Sequence, residues 1–266
     1  MPDMGRHQFG LRKASAAWVL AATCVVAGLL LGCRRTEEHN LYKFLGDRDP
    51  GVRYLAVSAV GDVGTSADLP RLEKLFRRET NDLVRGAILL AIAKIGGGSA
   101  APLLKAELER EDGFSRVFQM RAVGALADRG LLPLAERVVK GETAIVRIAA
   151  AESLGSLGEP ALPLLEELAA RDKEWAVRIA GLQALGRMAS SQAFAVVTRA
   201  VLYDEVKQVR AAAALAVGEM EDLTAVPVLQ QALGDEETTV RLAAASSLVH
   251  LGEASALPLL TDALAP

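Results

Sequence analysis

Asp235-Glu236-Glu237-Thr238-Thr239-Val240-Arg241-Leu242-Ala243-Ala244-Ala245-Ser246-Ser247-Leu248-Val249-His250-Leu251-Gly252 reads as a turn, one helix and a stop. Val240, Ala244, Leu248 and Leu251 recur at helical spacing and give a single apolar face. Gly252 stands just past the last periodic residue, where a helix ends. Pro258 then opens a second apolar run that continues to Leu264. Proline suits the first turn of a helix, because the N–H it lacks has no partner there. The segment is therefore a helix–turn–helix unit.

The same unit recurs along the chain. Its Val-Arg pair returns as Val52-Arg53, Val84-Arg85, Val146-Arg147, Val177-Arg178, Val209-Arg210 and Val240-Arg241, with Phe118-Gln119 filling the one gap. The steps between second members are 32, 34, 28, 31, 32 and 31 residues. Prolines keep the register independently. Pro70, Pro102, Pro227 and Pro258 each stand 17 residues after a repeat Arg, Pro163 stands 16 after Arg147, and Pro133 stands 14 after Gln119. Ala195 takes the place in the copy after Arg178. Asp47, Asp172, Asp204 and Asp235 lie six residues before their Arg. A period in this range, carried by three coincident features, predicts an all-α solenoid of about seven helix–turn–helix copies. The solenoid is expected over residues 41–266.

The Asp, Val-Arg and following small residues resemble HEAT repeats of the short class related to phycobilisome lyases. The resemblance spans Leu41 to Leu264. It implies a structural ladder in which Asp and Arg bond each other and the neighbouring turns. Asp47/Arg53, Asp172/Arg178, Asp204/Arg210 and Asp235/Arg241 match the pattern in full. Arg85 has Glu79 at the acidic place, and Arg147 has Gly141 with Glu142 beside it. Gln119 has Gly113, with Asp112 beside it. A charge present in every copy serves the stack, whereas a catalytic group would occur once. The third copy departs from the rest, with Arg121 on its next turn and the charged run Glu109–Phe114 ahead of it. It is either a local change of curvature or ordinary drift.

The N-terminus follows another logic. Arg6, Arg12 and Lys13 precede an uncharged stretch from Ala14 to Gly32, the pattern of a secretory signal. Leu30-Leu31-Gly32-Cys33 resembles the bacterial lipobox. The resemblance implies cleavage between Gly32 and Cys33 and a covalent lipid on Cys33; apart from that lipid, no cofactor is expected. Residues 1–32 are then a removed signal peptide and 33–40 a short tether. A plain anchor helix is the alternative, since the apolar stretch approaches the ~18 residues of a membrane span. In the bacterial lipoprotein family an Asp after the lipidated Cys retains the protein on the inner membrane; Arg34 stands there instead, which implies, in a bacterium with two membranes, an outer-membrane location facing the periplasm. Cys24 lies inside the signal, so the mature chain keeps Cys33 alone and no internal disulfide can form.

Composition bounds the chemistry. The 266-residue chain is 51% hydrophobic but 4% aromatic, with a net charge of -3. That suits thin layers of Ala, Leu and Val, and the absence of a basic stripe argues against nucleic acid. His7, His39 and His250 are scattered, no His-Glu pair of the iron-binding HEAT-like enzymes occurs, and no phosphate loop surrounds Gly96-Gly97-Gly98. No nucleophile has a paired base. No small-molecule substrate is expected.

Surfaces remain. In HEAT solenoids the helix carrying Val-Arg lines the concave side, which places Asp62, Lys94, Asp128, Glu152, Gln183, Arg187, Glu219 and His250 on a candidate partner face. Trp175 either anchors a partner there or packs between turns. The expectation is a non-enzymatic, membrane-anchored scaffold binding a protein partner in the bacterial cell envelope. The alternatives are a chromophore-lyase subunit like those of the phycobilisome, or a purely structural part of an envelope complex.

Overall fold

The computed structural model describes residues 41–96, 99–109 and 116–258. The signal, Cys33, the tether and most of the Glu109–Phe114 run lie outside these residues. The fold is an all-α solenoid, and no strand occurs among the described residues. Helices α1 (Pro50–Val63), α3 (Asp82–Ile95), α5 (Arg116–Leu126), α7 (Ala144–Leu154), α9 (Trp175–Met188), α11 (Lys207–Glu219) and α13 (Thr238–His250) carry the Val-Arg pairs or their equivalent. Between them lie α2 (Leu69–Phe76), α4 (Ala100–Leu108), α6 (Leu132–Gly141), α8 (Leu162–Arg171), α10 (Phe194–Tyr203) and α12 (Val226–Ala232). Four of these even helices begin at a repeat proline. Pro70, Pro133, Pro163 and Pro227 sit in the first two positions of α2, α6, α8 and α12.

The connectors are built from short polar side chains. Asp49 caps α1 by accepting the Gly51 N–H at 2.8 Å, and Asn81 caps α3 by accepting the Val84 N–H at 3.1 Å. Each oxygen satisfies a donor that the helix start would otherwise orphan. Several even helices are entered through a 3₁₀ turn, such as Leu223–Ala225, where Asp222 accepts the Thr224 N–H. Gly252 ends the α13 segment with φ +93°, a left-handed conformation that favours glycine.

The chain divides into two compact units, one of residues 1–103 and 112–118, the other of residues 104–111 and 119–266. The division falls in the irregular third copy. In the first unit, α1 packs on α3 and α2 covers α3. In the second, α7, α9, α11 and α13 stack in one layer, and α8, α10 and α12 form the other. The core is the seam between the layers. The Val-Arg valines Val84, Val177, Val209 and Val240 are fully buried, as are Leu72, Leu165, Val197 and Leu229 from even helices. Small residues let the odd helices close up. A Cβ on Gly186 would meet the Ala216 carbonyl oxygen at 2.8 Å, and one on Gly61 would meet the Ala91 Cβ at 2.9 Å.

Candidate functional site

The repeated charges are committed to one another. Arg178 directs Nε and Nη2 onto the two carboxylate oxygens of Asp204, both at 2.9 Å, while its Nη1 donates to the Asp172 carbonyl at 2.9 Å. Arg210 repeats this with Asp235 at 2.8 and 3.0 Å and the Asp204 carbonyl at 3.0 Å. Arg147 grips Asp172 at 2.6 and 2.8 Å and the Glu142 carbonyl at 2.7 Å. Arg53 grips Glu79 at 2.7 and 2.8 Å and the Asp47 carbonyl at 2.8 Å. Each fork is a two-pronged, charge-assisted contact, the stronger kind of hydrogen bond.

The pairing differs from the within-copy matches of the sequence. Asp47/Arg53, Asp172/Arg178, Asp204/Arg210 and Asp235/Arg241 are not carboxylate pairs. Each of these Arg residues takes the main-chain carbonyl of its own copy's Asp. Where a carboxylate is gripped, it belongs to the following copy. The reason is local. Asp172, Asp204 and Asp235 each accept the backbone N–H two residues on, at 2.9 Å, which pins the carboxylate in its own turn and presents it to the preceding Arg.

Arg85 and Arg241 also clamp main-chain carbonyls. Arg85 bonds the carbonyls of Phe76 and Glu79 and lies over the Phe76 ring at 4.3 Å. Arg241 bonds the Asp235 and Glu236 carbonyls and the Thr238 hydroxyl, each at 2.9 Å, and meets no carboxylate among the described residues. In the third copy Gln119 is buried and reaches the Glu107 carbonyl at 3.5 Å.

Electrostatics follow this wiring. Hydrogen bonds from Arg53 hold the Glu79 carboxyl below its ordinary value, and those from Arg210 do the same for Asp235. Burial pushes the Asp172 carboxyl up, but Arg147 and the Glu174 N–H together bring it below the usual value. Groups so engaged, and facing one another inside the stack, offer no free acid or base for catalysis. No group of three or more potential metal ligands occurs among the described residues.

The exposed side chains of the odd helices, taken unit by unit, are different in kind. Asp62, Lys94, Asp128, Glu152, Gln183, Arg187, Glu219 and His250 are all exposed. Asp62 and Lys94 pair across α1 and α3 at 2.7 Å. Arg187, Glu219 and His250 make no ion pair among the described residues. Asp128 departs from the expected helical placement. Helix α5 stops at Leu126 with Ala127 left-handed, so Asp128 lies in the following turn and caps it by accepting the Gly130 N–H. Trp175 is 47% exposed at the first position of α9. Sequence reasoning missed an open groove on the opposite layer, lined by Phe194, Leu202, Tyr203, Pro227 and Val228. The absence of proline at Ala195 was its one sequence signal, and a weak one.

Among the described residues no helix is long and apolar enough to cross a membrane. A family profile described as HEAT repeats matches residues 10–93, 41–127, 101–186, 131–217 and 197–266. Among curated protein sequences none matches. The fold is similar to YibA of Escherichia coli, with 17% identity and TM-score 0.58, over 99% of this chain and 93% of that one. It is also similar to the CpcE–CpcF complex of phycocyanin lyase from Nostoc sp., with 18% identity and TM-score 0.53, over 85% of this chain and 94% of that one. At these identities the likeness speaks to the fold.

Proposed function

The chain belongs to the HEAT-repeat family, and from that premise we propose that it is a non-enzymatic scaffold that binds a protein partner along the exposed face of its odd helices. One observation carries the reading. The Arg and acidic side chains that recur along the chain grip one another within the stack, whereas the polar residues that vary from copy to copy stand exposed on the odd helices of each unit. A stack of this kind gives each copy a fixed place and leaves that face free to differ, which is how repeat proteins form extended binding surfaces. The similar phycocyanin-lyase structure is itself a complex of two proteins, CpcE and CpcF.

The setting we propose is a bacterial cell envelope. Gly32-Cys33 ends a lipobox-like run, so cleavage there would leave Cys33 carrying the lipid anchor, with the solenoid held near the outer membrane and facing the periplasm. Several acyl chains at ~0.8 kcal/mol per buried CH₂ suffice for stable anchoring. A photo-crosslinking residue placed at Gln183 or Glu219 in cells should give one discrete protein adduct, and none when placed at exposed Lys105 on α4. Uniform labelling from all sites would remove the case for this face. Cys33→Ala should release the protein from membranes; retention at precursor size would favour an anchor helix.

The likeness to phycocyanin lyase sustains a second reading, a chromophore-lyase subunit. It requires that the purified protein, alone or with its partner, bind a linear tetrapyrrole. An unchanged absorption spectrum of the pigment across a titration would dispose of it.

A further inference from the structure

The exposed face of the second compact unit carries an ordered pair of charges. Gly186 on α9 and Gly218 on α11 each lie close against the next odd helix. A Cβ on Gly186 would lie 2.8 Å from the Ala216 carbonyl oxygen, and one on Gly218 would lie 2.6 Å from the Ser247 hydroxyl. Helices in such contact have axes about 8 Å apart, the short end of the usual range. Arg187 and Glu219 are the very next residues. They therefore repeat at this short pitch, with opposite sign, on successive helices. His250 takes the corresponding place on α13.

In the first unit the same register is held by Asp62 and Lys94, which neutralise each other at 2.7 Å. Arg187 and Glu219 do not. Both are exposed and neither makes an ion pair among the described residues. One helical turn back from them lie Gln183 and Leu215, and Leu215 is 46% exposed. The strip thus offers a cation, an apolar spot and an anion.

Resting on the scaffold reading above, we propose that this strip receives an extended segment of a partner protein that carries an acidic and a basic residue two or three positions apart, with an apolar side chain for Leu215. Extended chain advances about 3.3 Å per residue, so two or three residues span the distance between the helices. Charge complementarity chooses the occupant. A uniformly basic or acidic segment would meet one like charge, and nucleic acid would meet Glu219 with nothing in return. Opposed charges at fixed spacing also set the register and direction in which a segment lies.

The test is selection of random displayed peptides on the whole chain in detergent micelles. Wild type should enrich an acid and a base two or three residues apart, together with an apolar residue outside that pair. Arg187→Glu should weaken the enriched peptide about tenfold, which is 1.4 kcal/mol. The double exchange Arg187→Glu with Glu219→Arg should prefer a synthetic peptide in which acid and base have been exchanged. Enriched peptides with no such pairing, or a preference that the double exchange leaves as it was, would overturn the inference while leaving the scaffold intact. Failure to enrich any peptide on any variant would overturn both.

Discussion

Arg178 and Asp204 meet across a repeat boundary, 26 residues apart in sequence, through two hydrogen bonds of 2.9 Å. Their side chains are 7% and 12% exposed. The same Arg ties down the Asp172 carbonyl of its own turn, so one guanidinium joins two copies and shapes one of them. Removing it strands the Asp204 carboxylate beside a low-dielectric seam. Losing one member of a buried pair costs more than the pair contributes, because the other charge is left uncompensated. Arg178→Ala should therefore lower unfolding stability by roughly 3 kcal/mol. Arg241, which bonds only carbonyls and a hydroxyl, should cost clearly less when changed to Ala. Urea unfolding of the two variants side by side decides it; equal losses would mean that the carboxylate forks carry no special weight.

Much of this was legible in the sequence, because a period is a statement about geometry. Val240, Arg241 and Pro258 recur as a set, in which the valine fills the seam, the arginine clamps the turn and the proline starts the next helix. What the sequence could not supply was the partner of each clamp. The Asp nearest in sequence to Arg178 is Asp172, yet the carboxylate it grips is Asp204, in the next copy. Stacking, not local spacing, chooses between them. The wiring also clarifies the irregular copy. Gln119 stands at the place of the Arg, and Gly141, in the following copy, stands at the place of the acid with Glu142 beside it. The eight proposed surface positions proved exposed because helical phase alone sets them, except that Asp128 fell beyond the end of α5, where the left-handed Ala127 broke the phase.

Close packing of the odd helices rests on glycine at the crossing. At Gly186 an added Cβ would press on the backbone of α11, which cannot turn aside as a flexible side chain could. Gly186→Val should force α9 and α11 apart and destabilise by about 1–3 kcal/mol, the usual range for overpacking. Gly96, where an added Cβ meets nothing within 4 Å but φ is +84°, tests a different cost. Gly96→Ala should lose about 1 kcal/mol through backbone strain alone. Thermal melts separate the two if only the Gly186 variant also shows altered near-ultraviolet dichroism from loosened packing.

The ladder makes stability depend on acidity. Glu79, Asp172 and Asp235 have folded-state values below their ordinary ones. Between the folded and unfolded values the unfolded chain binds more protons, so falling pH favours it. Their contribution is complete above about pH 5 and is lost as pH falls through the folded values, since free carboxyls titrate near 4. The arginines, shifted upward, stay charged throughout this range. Urea midpoints should be level from pH 7 to 5 and then decline. Asp235→Asn should start lower at neutral pH and decline less steeply, and a parallel decline would show that Asp235 does not carry the dependence.

Stability and recognition should separate by position. Arg187 and Glu219 are exposed, and their side chains make no hydrogen bond or ion pair among the described residues, so replacing either by Ala removes no such contact. Surface changes of this kind rarely alter stability appreciably. Both variants should unfold at the wild-type midpoint and give the wild-type far-ultraviolet spectrum. If the odd-helix face is the binding surface, the same two changes should sharply reduce recovery of the crosslinked partner from cells. The ladder variant Arg178→Ala should do the reverse, unfolding early yet still capturing partner at temperatures where it remains folded. Loss of capture in Arg178→Ala without loss of stability would move function onto the ladder, and unchanged capture in both surface variants would move it off this face.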